Sequence, residues 1–470
     1  MRVSTNPFIG LLAGCLLVAP GIGAAGVSPE EAAKLGDQLT PIGANPNGNE
    51  EGTIPPWRGP SLFTEAQRNY DYEEVEHLRK NDPDKLNFIK TQRPEALKPR
   101  FTITADNYQQ YADKLTAGHK RLFELYPETY KMRVYPSVRG TYFPDEINEA
   151  TRKNAERAGL EGVNDVYGAR LGFPFPIPQN GAQAIWNHKL RFRGSAVKRY
   201  NNQAIVDADG SYQITKLIED VRFEYANLEV EDPENHVLAY YLQRTLSPAR
   251  VAGQITLVHE IFGKGTSGRN AWIYNPGLGR VNRAPEVGYD NPSLGSDGLQ
   301  FNDQINMFNG SLARYNWKLV GKKEMFVPHN SYEINSVRHS YDEIIQKGHI
   351  NQNLPRYELQ RVWVVEANLR EGTRHQFKKR VFYLHEDSWG VTMVDCYDNR
   401  DQLWKFQEGH LITAPYIPTA TTVPEVIYDL QSGRYFMTAM INEDRANDFD
   451  VEFSRSHFQP SNLKRMGRTF

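Results

Sequence analysis

Cysteine is nearly missing from this sequence: its 470 residues hold two, Cys15 and Cys396. A disulfide framework is therefore excluded, and removal of the leader described below would leave Cys396 alone. Charge of one sign is also missing. The formal net charge is −2, so no basic excess draws the protein onto nucleic acid or an anionic membrane. Long apolar runs are absent beyond residues 8–22, and mean hydropathy is −0.62. A polytopic membrane protein, which needs several spans of about 20 apolar residues, is excluded. Aromatics, by contrast, are plentiful: 22 Phe, 25 Tyr and 7 Trp. That many large rings excludes a disordered chain, and the length suffices for a large core.

The start of the chain reads as a secretory leader over residues 1–25. Arg2 is its one charge, residues 8–22 are apolar but broken by Gly10, Gly14, Pro20 and Gly21, and Gly23-Ala24-Ala25 offers small residues for cleavage. Leu12-Ala13-Gly14-Cys15 also matches a lipoprotein cleavage box. Cutting there would leave an apolar start, Leu16-Leu17-Val18-Ala19, so release after Ala25 is the favoured reading. The expected location is the periplasm, with association at the outer membrane as an extension. Cys396, in a strand-like segment beside Asp395, reads as a small buried hydrophobe rather than a reactive thiol.

Residues 26–100 read as an N-terminal arm with short helices. Ser28-Pro29-Glu30-Glu31 is a helix start, and residues 39–60, rich in Pro, Gly and Asn, read as a wrapping segment anchored by Ile54 and Trp57. Residues 101–470 read as one large β-rich domain. Within it, tyrosines at 108, 111 and 126 with Leu115 and Leu122 predict a long helix over 104–126, closed by Pro127. Residues 145–158 predict a second helix. Three alternating prolines make 172–178 a rigid extended strap. Runs at 186–193, 212–225, 237–246, 250–262, 357–369, 375–385 and 391–397 are rich in β-branched and aromatic residues and predict an antiparallel meander. In the run 357–369, Tyr357, Leu359, Trp363, Val365 and Ala367 fall on one face by period two, opposite Glu358, Gln360 and Glu366.

Chemical motifs are sparse. Gly263-Lys264-Gly265-Thr266-Ser267-Gly268 lacks P-loop spacing and reads as a hairpin loop. There is no nucleophile elbow, CxxC pair or HExxH helix. His259-Glu260 and His385-Glu386-Asp387 are the best acid–base or metal candidates. Adjacent strand residues face opposite ways, so a solvated strand end is the favoured reading for both, with no metal and no cofactor expected. Arg280, Arg283 and Lys264 flank Trp272-Ile273-Tyr274, a pattern that either grips an anion or merely covers apolar surface.

Several motifs recur together: Gly52-Thr53-Ile54-Pro55-Pro56-Trp57, Tyr111-Ala112-Asp113-Lys114-Leu115-Thr116-Ala117-Gly118, Phe173-Pro174-Phe175-Pro176-Ile177-Pro178-Gln179-Asn180-Gly181, Trp186-Asn187-His188, Gly321-Lys322-Lys323-Glu324-Met325 and Arg361-Val362-Trp363-Val364-Val365-Glu366-Ala367. As a set they resemble a proteobacterial periplasmic family that carries a domain of unknown function and is often labelled outer-membrane lipoprotein-sorting. That family is similar to lipoprotein carriers built on an open β-barrel. The resemblance implies a curved antiparallel sheet, capped by a few helices, that shelters an acyl chain. It further implies work with a resistance-nodulation-division type transporter and an outer-membrane protein. It supplies no catalytic residue.

The expected fold class is thus mainly β (α+β), an open half-barrel with a wrapping arm. The expected function is a non-catalytic periplasmic carrier for a lipid or other hydrophobic small molecule. The alternatives are a structural partner of an outer-membrane protein, and a cell-envelope glycan-binding protein or enzyme. Large side chains expected to line a ligand site are Trp186, Phe192, Tyr240, Leu257, Trp272, Tyr274, Trp317, Trp363 and Phe382, with Arg283 beside them. A carrier predicts a deep apolar cavity without convergent titratable groups, whereas a glycan enzyme predicts a polar groove with two facing acids.

Overall fold

The computed structural model describes residues 26–230, 237–262, 268–284 and 288–468. The leader with Cys15 and residues 263–267 with Lys264 lie outside the described residues. The helices described are α1 (Pro29–Ala32), α2 (Glu65–Arg68), α3 (Tyr72–Asn81), α4 (Phe88–Gln92), α5 (Ala117–Leu125), α6 (Asp145–Arg157), α7 (Gly181–Leu190), α8 (Tyr341–Ile344) and α9 (Pro460–Met466). The strands are β1 (Phe101–Ile103), β2 (Met132–Tyr135), β3 (Gly159–Glu161), β4 (Asp165–Tyr167), β5 (Ala196–Tyr200), β6 (Asn202–Val206), β7 (Tyr212–Phe223), β8 (Val237–Ser247) and β9 (Ile255–Ile261). They continue as β10 (Gly268–Asn275), β11 (Arg280–Arg283), β12 (Tyr315–Pro328), β13 (Tyr357–Leu369), β14 (Lys379–His385), β15 (Val391–Tyr397), β16 (Leu403–Ala414), β17 (Thr419–Asp429) and β18 (Tyr435–Met440).

Sixteen strands make one sheet in the order β1-β2-β13-β14-β15-β16-β17-β18-β6-β7-β8-β9-β10-β11, with β12 on β13 and β5 on β7. The end strands β1 and β11 do not pair with each other, so the sheet stays open. Its ladders are antiparallel except β13 with β2, which run parallel at Tyr357↔Val134 and Glu358↔Tyr135. The mainly β, open architecture expected from the sequence is the one found.

Period-two alternation divides the core. Val381, Tyr383 and Met393 pack in one apolar cluster, with α5 and Ile54 of the arm. Their neighbours Phe382, Leu384 and Val394 pack in another, with α7 and the strap. Both faces of the central strands are therefore dry. On β13 the charged and amide side chains opposite the apolar set are dry too: Glu358 and Gln360 are buried along with Tyr357 and Leu359.

The strap at 172–178 has no ladder to join, so side chains satisfy its backbone. Gly172 turns it at φ +66°, the Phe173 N–H donates to Thr151 Oγ1 at 3.0 Å, and Asn187 exchanges two bonds with Phe175 at 2.9 and 2.7 Å. Residues 72–76 are tied down in the same way. The Tyr72 N–H donates to Asp450 at 2.6 Å, and Glu76 accepts the Ala446 N–H at 2.7 Å.

Two expected elements differ. The long helix over 104–126 breaks into a single tight turn, Tyr108–Tyr111, and α5. Thr116 restarts the helix by accepting the His119 N–H at 3.1 Å. The Lys114 carbonyl meanwhile accepts from the Phe326 N–H of β12 at 3.0 Å instead of from its own helix. The tyrosine spacing reflects ring stacking, Tyr108 on Phe123 and Tyr111 on Phe101, not one helix face.

The run at 186–193 is not a strand. It lies in α7 and the extended segment after it. Asn180 caps α7 by accepting the Gln183 N–H at 3.0 Å, and residues 184–190 are buried on every side. A helix without a wet face shows no amphipathic period, so its large side chains mimic a strand. Its first turn lies so close to β12 and β13 that a Cβ on Gly181 would stand 2.9 Å from both the Lys318 carbonyl carbon and Val365 Cγ1.

Candidate functional site

Strands β5 to β10 and residues of β17 and β18 line one cavity of about 240 Å³. So many adjacent strands reach a single space only because the sheet curves around it. Residues of the crossing segment 288–309 line it as well. That segment is pinned by the Met307 N–H on Glu425 at 3.1 Å, Asn309 on Glu260 at 3.2 Å and Gln304 on Gln407 at 3.0 Å. Leu294 stands at the rim, 55% exposed.

Register explains which side chains enter. Val197, Val221, Tyr241, Val258 and Ala271 are cross-strand neighbours in one row, and Val221, Tyr241 and Val258 line the cavity. The next row, Arg199, Glu219, Gln243, Thr256 and Ile273, lines it too. Apolar walls come from Val221, Phe223, Leu238, Val258, Ile273 and Phe308.

The walls also carry charge. Glu219 is held by the Arg199 guanidinium, the Tyr241 hydroxyl and Asn201 at 2.7 Å. Glu260 is held by Arg269 at 2.5 Å and by Asn309. Glu425 accepts from Thr422 at 2.8 Å and from the Met307 N–H, and burial pushes its carboxyl upward in pKa. Lys189, at the end of α7, donates to the Gly310 carbonyl and sits 5.0 Å from the Trp186 ring centre. Burial lowers its ammonium to about 8. The Arg193 guanidinium lies 4.6 Å from the Phe223 ring centre, and its Nε has no partner among the described residues. Burial, followed by the charges of Arg191 and Arg199, pushes it down.

The residues expected to line a ligand site are not brought together here, and none of the ten lines this cavity. Tyr240, Leu257, Trp272 and Tyr274 sit on the opposite face of the same strands, under Phe458 and Leu463 of the C-terminal segment. Arg283 is exposed beside them and donates to Asn270 at 2.8 Å. Trp186, Trp317 and Phe382 pack in the core behind the cavity wall; the Phe308 ring, which does line it, is 5.6 Å from Trp317 and 5.2 Å from Phe382. Trp363 stacks on Trp389 away from the cavity, at 5.8 Å. Phe192 borders a separate cavity of about 430 Å³ between the arm and the C-terminal segment. The sequence did hold a signal for the lining residues. Thr256, Val258 and Glu260 alternate, as do Glu219, Val221 and Phe223, but a mixed polar alternation reads as a wet face.

The histidine–acid motifs are also placed. His259 and Glu260 do point to opposite faces: His259 bonds the Phe458 carbonyl at 2.8 Å, while Glu260 enters the cavity. The expected solvated strand end is corrected for Glu260 and for His385, Glu386 and Asp387, which are all buried. Arg139 neutralises Asp387 through two bonds of 2.8 Å, and the His385 ring lies 4.5 Å from that of His329. Burial lowers the His385 pKa to about 3, keeping it neutral. Among the described residues no group of three or more His, Cys, Asp or Glu is placed to hold a metal. No helix among them is long and apolar enough to cross a membrane.

Comparison with known proteins adds three likenesses. The chain is 43% identical over 448 residues to the uncharacterized protein PA3922 of Pseudomonas aeruginosa, covering 94% of each. It is similar in structure to a DUF1329 family protein from Desulfovibrio piger, at 16% identity and a TM-score of 0.40, over 57% of this chain and 92% of that one. It is also similar to a LolA superfamily protein from Nitrosomonas europaea, at 11% identity and a TM-score of 0.36, over 60% of this chain and 98% of that one. The model of a family described as protein of unknown function, DUF1329, matches residues 102–464, and the chain belongs to that family.

Proposed function

We propose that this protein is a non-catalytic periplasmic binding or carrier protein for a lipid or other hydrophobic ligand, held in the cavity beneath the crossing segment. The observation that carries the reading is the cavity itself: about 240 Å³ with apolar side chains from five elements in its wall. Ligand pockets for drug-sized molecules run to about 300–1,000 Å³. The space therefore suits a single chain rather than a multiply acylated anchor. In this reading residues 26–100 are an arm on one domain of 101–470. Work with an envelope transporter and an outer-membrane protein is supported by the family resemblance alone.

The carboxylates argue against catalysis. Hydrolysis of a glycan needs one acid that can give a proton and one that can take it. Glu219 and Glu260 are each committed to an arginine, and Glu425 to a threonine and a backbone N–H. The same three acids are the observation that favours the second reading, binding of a cell-envelope glycan.

The test is native mass spectrometry of the protein purified from its own periplasm, followed by organic extraction. A stoichiometric lipid or long-chain compound supports the carrier. An apo mass with no uptake from a lipid extract overturns it, and retention of envelope oligosaccharide instead supports the second reading.

A further inference from the structure

The cavity walls do not balance in charge. Lys189, Arg193, Arg199 and Arg269 face Glu219, Glu260 and Glu425. Two ion pairs, Arg199 with Glu219 and Arg269 with Glu260, cancel. Glu425 accepts from Thr422 and from the Met307 N–H and makes no ion pair within 4 Å among the described residues, so it reaches Arg191, Arg193 and Arg199 only through its charge at longer range. Lys189 and Arg193 are left without an ion-pair partner among the described residues, and Arg193 makes no hydrogen bond there either. Arg191 adds a third cation on the same segment, bonded to Asn306 at 2.7 Å and to His188.

A buried guanidinium with neither an ion pair nor a hydrogen bond is costly. An arginine fork matches the two oxygens of a carboxylate or phosphate, and the Phe223 ring beneath Arg193 holds the fork in place. Apolar burial alone is a weak source of affinity. The gain from burying the methylenes of a short chain is largely offset by the freedom lost on association. A ligand held firmly in this cavity needs a head-group contact.

We infer that the cavity takes an amphiphile with an anionic head, a carboxylate or a phosphate, seated on Arg193 with Lys189 beside it, its chain lying along Phe223, Leu238, Val258 and Ile273. This rests on the carrier reading and names the ligand class for the same cavity. The crossing segment closes over the chain, and the excess positive charge lies at the α7 end.

The test is calorimetric titration of the full chain with decanoate, decyl phosphate, decanol and inorganic phosphate. At least one decyl anion is expected to bind tenfold or more tightly than decanol, and the tighter of the two names the head class. Arg193→Gln is expected to abolish that margin while leaving decanol affinity within twofold. Equal binding of anions and decanol overturns the anionic seat and leaves the carrier reading standing. A margin that survives Arg193→Gln also overturns the seat. No uptake of any decyl compound overturns both. Inorganic phosphate binding as tightly as decyl phosphate overturns the amphiphile. Where Arg193→Gln does not fold, Arg193→Lys decides: a reduced margin supports the seat, and an unchanged one overturns it.

Discussion

Arg139 and Asp387 form a two-point ion pair inside the protein, with both side chains 2% exposed. The same guanidinium donates to the carbonyls of Asn45 at 2.6 Å, Asn47 at 3.1 Å and Pro55 at 3.2 Å. One arginine thus neutralises a buried acid and ties down residues 45–55.

Arg139→Met is expected to destabilise the protein by about 3–5 kcal/mol, because it strands the Asp387 charge in a dry site. The arm should loosen at the same time. Urea unfolding reads the first effect, and faster proteolytic cleavage within residues 45–57 reads the second. A stable variant whose arm stays protected would contradict this role.

Leu257→Ala and Val258→Trp should part company, although the residues are adjacent. Leu257 is buried under the C-terminal segment, so its truncation is expected to cost about 2–5 kcal/mol with ligand uptake kept. Val258 lines the cavity, so the indole is expected to block uptake of the decyl probes. Melting temperature and titration together check the pair. Uptake lost through Leu257→Ala in a folded protein would place the site on the wrong face.

Gly181→Ala probes the contact between α7 and the sheet. The new methyl would meet backbone and Val365 at 2.9 Å, and overpacking of this kind costs about 1–3 kcal/mol. A lowered melting temperature is the expected result. An unchanged one would show that α7 can slide.

Stability is expected to fall on acidification in two stages. Burial first, and other causes after it, push His188, His349, His375 and His385 below their usual range. A depressed histidine pKa means that the unfolded chain binds more protons, so stability drops as pH falls below about 6.5. Burial opposes ionisation of Glu358, yet Arg356 and His329 hold it down at about 2. Asp303 is held at about 2 despite its burial, chiefly by Arg380 and then His375. These depressed carboxylates contribute stability that is present above about pH 4 and is lost as pH falls toward 2. Urea midpoints between pH 3 and 8 check this; a midpoint constant from pH 8 to 5 would refute the first stage.

Much of the strand layout was legible in the chain. The boundaries 357–369 and 391–397 coincide with β13 and β15, because β-branched residues bounded by turn residues leave few alternatives. Trp186 resembles a strand residue for the opposite reason: α7 is buried all round, so no period betrays it. Arg193, Glu219 and Glu260 were not legible as a site. Each carries a charge that sequence patterning assigns to solvent, and only the tertiary structure brings the segment after α7 together with β7 and β9 around one cavity.

Composition and alternation by themselves determined the class of the protein: mainly β, without a disulfide framework and without the spans of a polytopic membrane protein. Residue type and spacing act locally, and local propensity is enough to select strands. Which face of each strand meets a cavity was decided by tertiary structure alone. One face of β8 to β10 is covered by the C-terminal segment more than 180 residues along the chain from those strands. The other is enclosed by the crossing segment and α7. A side chain on a two-sided sheet is wet, buried or ligand-facing according to what arrives from elsewhere in the chain, and no local pattern records that arrival.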